Sequence, residues 1–226
     1  MTDYTLALRQ GADLPEDQRQ AIAAKLHDYT GLPVDYILRA DLRVNGGEFD
    51  QQLQAKTGMA TGRLDTRYSS PTIDPMSQEV DYDPQSSAIS SAYVTVFNDY
   101  VRNTLKYGTE EDYRLYNSQG HWDSHHRQPG HGYQPKGEPN VMTDLAMAMK
   151  TNPNLHVMLN AGYYDLATPY FEGVYEMKHL PMAKSLQKNI EYAQYTSGHM
   201  VYVDPTTLQQ LHDNVAAFIR RTDNLH

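Results

Sequence analysis

The sequence predicts an α/β fold. From residue 141 onward helical and strand patterns alternate as αβαβα, and the two strands, residues 155–160 and 190–195, are short apolar or aromatic runs without glycine or proline. Strands separated by helices pair in parallel through crossovers, so this region reads as one edge of a sheet with helices on its faces. Upstream the chain offers mainly helices and loops. Two parallel strands are too few for a sheet that needs both faces covered, so either the remaining strands lie on polypeptide outside these 226 residues or some upstream segments read as helix or loop are strands.

In chain order, residues 15–29 predict a helix. Pro15 suits its first turn, Glu16 and Asp17 sit at its positive end, and Ile22, Leu26 and Tyr29 recur at helical spacing until Gly31 and Pro33 stop it. Shorter helical patterns follow at 34–39 and 49–55, separated by the turn signal Asn45-Gly46-Gly47. Residues 58–83, with Pro71, Pro75 and several aspartates, read as an extended connection holding at most a short strand near 59–64. Residues 87–105 carry Ile89, Tyr93, Val96, Phe97, Tyr100, Val101 and Leu105 on one helical face, which core packing is expected to bury. Glycine and proline recur through 120–140, an exposed loop. Helices at 141–150, 169–180 and 205–220 then flank the two strands. The chain divides accordingly into a mainly helical segment, 1–86, and an α/β segment, 87–226.

Composition removes several function classes. Nineteen lysines and arginines face 28 aspartates and glutamates, a net charge of −9 that opposes binding to nucleic acid or an anionic membrane surface. No apolar run approaches the roughly 18 residues of a membrane span, and the first residues, Met1-Thr2-Asp3-Tyr4-Thr5, lack the pattern of a signal peptide. Zero cysteines exclude disulfides, thiolate metal sites and a cysteine nucleophile. That absence fits cytosol and periplasm equally. Eighteen tyrosines against four phenylalanines give most aromatic burial a hydroxyl to satisfy.

In open α/β sheets functional groups gather at the carboxyl ends of strands. Beyond the first strand comes Asn160-Ala161-Gly162-Tyr163-Tyr164-Asp165, and beyond the second Thr196-Ser197-Gly198-His199-Met200. Asp165 and His199 thus occupy equivalent loops 34 residues apart, one crossover. Adjacent strands lie about 5 Å apart, which brings a carboxylate within reach of an imidazole. Such a carboxylate fixes the histidine tautomer and stabilises its protonated form while the other ring nitrogen takes a proton from a nucleophile. Taken singly, Asp165 also reads as a helix N-cap and His199 as an ordinary loop histidine. Their pairing, acid before histidine at successive strand ends, favours function.

The segments Asn160-Ala161-Gly162-Tyr163-Tyr164-Asp165-Leu166-Ala167-Thr168-Pro169 and Ser197-Gly198-His199-Met200-Val201 resemble the acid and histidine segments of the serine carboxypeptidase family. Tyr100-Val101-Arg102-Asn103-Thr104-Leu105 with the Trp122 region, and Thr61-Gly62-Arg63-Leu64-Asp65, are similar to further segments, the latter to the bacterial branch. The likeness covers roughly residues 20–220 and is most specific at the two catalytic segments. It implies an α/β-hydrolase fold, with residues 1–86 resembling the insertion that caps the active site. It also implies Asp165 as triad acid, His199 as general base, Met200 as a wall of the substrate pocket, a peptide substrate and no cofactor. Periplasmic or secreted location follows from the family if a signal peptide lies upstream. Where many relatives carry Gly-Asp-x-Asp this chain has Gly162-Tyr163-Tyr164-Asp165, and Tyr202 replaces a proline; both departures bear on specificity rather than on the triad.

The nucleophile is the gap. This architecture orders serine, acid, histidine, with the serine in Gly-x-Ser-x-Gly on a strained turn, and these residues contain no such motif. Ser69-Ser70, Ser86-Ser87 and Ser90-Ser91 sit in turn or helix-start contexts suited to capping. The serine and the oxyanion hole are therefore expected on a missing amino-terminal half, upstream on the same chain or on a separate one, and the isolated chain is expected to be inactive. His121, His125, His126 and His131 with Asp123 have zinc-ligand chemistry, but Gly120, Pro129, Gly130 and Gly132 break the helix that would align them, and a solvated loop without metal is the expectation. Two functions of different class remain: the carboxyl-terminal part of a serine hydrolase, or of an acyltransferase of the same lineage, and a non-catalytic truncated chain or binding module in which Asp165 and His199 are relics.

Overall fold

A computed structural model of the chain describes residues 2–112, 123, 125–129 and 139–223. Helix is combined with two small sheets, one antiparallel and one parallel, an arrangement compatible with the α/β class. The chain divides into two units, Met1–Ala88 and Ile89–His226, each described separately below.

In the first unit, helices α1 (Thr2–Gln10), α2 (Glu16–Thr30) and α3 (Val34–Arg39) close around Ala7, Ile22, Ala23, Leu32, Ile37 and Leu42. Helix α1 was not expected from the sequence; it is short, and Ala7 is its one fully buried apolar side chain. Helix α2 ends at Gly31, whose φ of 77° only glycine adopts without cost and whose N–H donates to His27 O. Pro15 stands just outside α2, at its N-cap. Beyond α3 the chain turns through two non-glycine residues of positive φ, Asp41 and Leu42. Leu42 is held there by burial and by Tyr4 Oη donating to its carbonyl at 2.7 Å.

The Asn45-Gly46-Gly47 signal is not a turn between helices. It opens helix α4 (Gly46–Gln52): Asn45 Oδ1 accepts from Glu48 N at 2.9 Å and Glu48 Oε2 accepts from Asn45 N at 3.0 Å, a reciprocal capping box. Strand β1 (Met59–Thr61) lies in the stretch expected to hold one, and pairs antiparallel with β2 (Ser69–Pro71), which sequence patterning missed. Three residues ending in proline give too little alternation to detect, and an edge strand tolerates the missing N–H.

Helix α5 (Pro84–Asp99) continues as a π-helical turn over Tyr100–Thr104. Its predicted burial is corrected: Tyr93, Val96, Phe97, Tyr100 and Leu105 are exposed. Periodicity specifies that a face is apolar, not that the chain's own residues cover it. In the second unit, α6 (Met142–Thr151), β3 (Val157–Gly162), α7 (Tyr170–Lys178), β4 (Ile190–Tyr195) and α8 (Pro205–Thr222) follow the expected αβαβα order. Strands β3 and β4 run parallel, with Val157 opposite Ile190 and Gly162 opposite Tyr195. Ala146 and Met149 of α6, Leu180 and Ile190 form the core, joined by Val157 and Met177. No helix among the described residues is long and apolar enough to cross a membrane.

Candidate active site

Parallel pairing continues past the ends of β3 and β4. Tyr163 N donates to Tyr195 O and Tyr164 N to Ser197 O, each at 3.0 Å, so the two chains leave the sheet side by side. Gly162 permits this, because a Cβ there would overlap the carbonyl oxygens of Ser197 and Gly198. One residue beyond the last of these bonds, Asp165 turns inward and is buried, 4% exposed.

His199 reaches it. The imidazole Nδ1 lies 2.9 Å from Asp165 Oδ2, while 42% of the histidine side chain stays exposed. The other carboxylate oxygen, Oδ1, accepts from Ala167 N at 2.7 Å and Thr168 N at 3.0 Å. Thr168 Oγ1 donates to Oδ2 at 2.7 Å and lies 3.1 Å from His199 Nδ1. Three donors besides the imidazole therefore converge on one buried carboxylate, which removes its rotational freedom. Asp165 is not the N-cap of α7, a position held by Pro169; its bonds to the backbone order the loop before that helix.

A cleft of about 440 Å³ opens beside the pair, bounded by the last residues of β3, by Tyr170, Glu172 and Glu176 of α7, and by His199 and Val201. Met200, expected to wall the pocket, is not among the residues that line this cleft; it is partly buried and stands at the N-cap of the 3-10 turn Val201–Val203. Tyr163 is half-exposed and meets Tyr170 edge to face, ring centroids 5.1 Å apart.

No match was found among protein-family models, curated proteins or solved structures. The chemistry of the site accordingly rests on its residues. A carboxylate fixed on four sides holds one ring nitrogen of a histidine whose other nitrogen is bonded by no described residue, a geometry that can serve as a base with its orienting acid.

Sequence reasoning singled out both members of the pair and missed Thr168, although it lies inside the quoted segment. The available signal was Asp-x-x-Thr before a proline, a spacing at which a hydroxyl and two backbone N–H groups return to one carboxylate. Among the histidines of the central loop, His121 and His131 lie outside the described residues, as does Trp122. His125 Nδ1 pairs with Asp123 at 2.6 Å and His126 Nε2 with Asp144 at 2.8 Å. No cluster of three metal-ligating side chains occurs among the described residues.

Proposed function

We propose that this chain supplies the acid and base of a serine hydrolase resembling the serine carboxypeptidases, in a partial α/β-hydrolase sheet whose nucleophilic serine and oxyanion hole lie on polypeptide outside these residues. One observation carries the reading: the 2.9 Å contact between His199 Nδ1 and Asp165 Oδ2, formed by the loops after two adjacent parallel strands. In the reaction the serine Oγ attacks the carbonyl carbon of a peptide's last bond while His199 Nε2 takes the hydroxyl proton. Asp165 stabilises the imidazolium. The proton then passes to the departing amine, and water, activated by the same nitrogen, hydrolyses the acyl-enzyme. An acyltransferase would use the same groups with an alcohol or amine in place of water.

The coding sequence in frame upstream of the Met1 codon tests this directly. A strand, Gly-x-Ser-x-Gly and a helix are expected there, and the complete product is expected to remove carboxyl-terminal residues from blocked dipeptides. In that protein Asp165→Asn should lower kcat on the order of 10³- to 10⁴-fold with KM changed little. An in-frame stop without such a motif, or undiminished turnover in Asp165→Asn, would overturn the assignment. Peptidase activity from the 226-residue chain alone, abolished in His199→Ala, would overturn the placement of the nucleophile elsewhere.

A further inference from the structure

Proton accounting around Asp165 gives one side chain a role beyond the acid and base. Thr168 has a single hydroxyl proton and two potential acceptors, Asp165 Oδ2 at 2.7 Å and His199 Nδ1 at 3.1 Å. An ionised carboxylate only accepts, and Oδ1 is already occupied by the N–H groups of Ala167 and Thr168. If the hydroxyl proton went to His199, Nδ1 would be bare and would face Oδ2 at 2.9 Å lone pair to lone pair. The arrangement that satisfies every atom sends the Thr168 proton to Oδ2 and turns the threonine lone pair toward a protonated Nδ1.

We infer that Thr168 is a positioning residue: its hydroxyl locks Asp165 Oδ2 and serves as a second acceptor for His199 Nδ1–H, leaving Nε2 as the unprotonated base. The inference rests on Asp165 and His199 being the acid and base proposed above. The need for such a device follows from exposure. With 42% of its side chain in solvent, His199 is open to water, which competes for Nδ1–H and for the ring's orientation. Two acceptors sharing the Nδ1 proton, both anchored to a loop built on the same carboxylate, resist that competition better than one. Pro169 directly after Thr168 fixes the backbone at the start of α7, so the hydroxyl is carried on a segment with little freedom.

The test uses this chain with ¹⁵N-labelled histidine, at a pH where the ring is neutral, reading the tautomer of His199 from its ring nitrogen shifts. Wild type is expected to be mainly the Nδ1–H form; a mainly Nε2–H wild type overturns the inference without any variant. Thr168→Val should lower the ratio of Nδ1–H to Nε2–H several-fold, and Thr168→Ser should restore it. An unchanged ratio in Thr168→Val, or a serine variant that folds but does not restore it, also overturns the role. In the complete enzyme Thr168→Val should lower kcat roughly tenfold with KM unchanged, as expected for one lost hydrogen bond in the transition state. The tautomer ratio needs no nucleophile, so failure of the hydrolase reading leaves it unmoved. An unchanged ratio in Thr168→Val leaves the Asp165–His199 pair standing.

Discussion

Asp50 carries its carboxyl into the first unit with no exposed surface, and neither oxygen has a hydrogen-bond partner among the described residues. Burial pushes its pKa up to about 7, helped by the charge of Asp83 and opposed by Arg63. The native state therefore holds a proton that the unfolded chain releases near the ordinary value of 3.8. Where the native state binds more protons, stability falls as pH rises, here from about pH 4 until it levels above about 7, by a total on the order of 4 kcal/mol. Asp3, Asp41 and Asp213 are shifted the other way, below 3.8, by Lys25, by Arg19 and by Gln209 with His212 respectively, so they act outside that window. Asp50→Asn should flatten the decline and leave the variant the more stable protein at pH 8; denaturant midpoints at pH 5 and pH 8 measure it, and equal slopes in both proteins would contradict it. At this scale the sequence was legible where chemistry coincides with topology. Asp165 and His199 stand at successive strand ends, and Thr168 lies at a local Asp-x-x-Thr spacing that many turns share, whereas Asp50 acquires its character only from what surrounds it in three dimensions.

Elements were legible where a stop signal and a buried face coincide, as in α2, which ends at Gly31, and in β4, matched residue for residue. They were misread where a polar residue has two uses. Asn45-Gly46-Gly47 has turn composition, yet Asn45 caps α4 and its Nδ2 also donates to Glu79 at 3.0 Å. That double role predicts an order among substitutions. Asn45→Ala loses the cap and should cost about 1 kcal/mol. Asn45→Ser keeps an acceptor for Glu48 N and should cost less. Asn45→Asp keeps the acceptor but sets a carboxylate against Glu79 in place of a donor, and should fall below serine, with the gap shrinking at high salt. Urea midpoints of the three variants at two ionic strengths check the order; aspartate equal to serine at low salt would remove Glu79 from the account. The exposed apolar face of α5 marks the limit of periodicity as a guide, because spacing cannot say whether this chain or another covers a stripe.

At the scale of the whole molecule, each unit owns a separate apolar cluster, Ala7 to Leu42 in the first and Ala146 to Ile190 in the second. Cooperative unfolding follows contiguous packing, so two cores predict two transitions rather than one. Substitutions buried in one unit should then report on that unit alone. Gly162→Ala is the sharper probe, since its new methyl meets backbone carbonyls of Ser197 and Gly198 that cannot move without shifting the loop carrying His199. A cost of roughly 1–3 kcal/mol is expected from such overpacking. In hydrogen exchange, amides of β3, β4 and α8 should lose protection in this variant while those of α2 and α3 keep theirs. Asp50→Asn should give the reverse pattern at pH 8, raising protection in α4 and β1 and leaving β3 unchanged. Loss of protection spread evenly over both units in Gly162→Ala would mean that the chain unfolds in one transition, and would contradict this prediction.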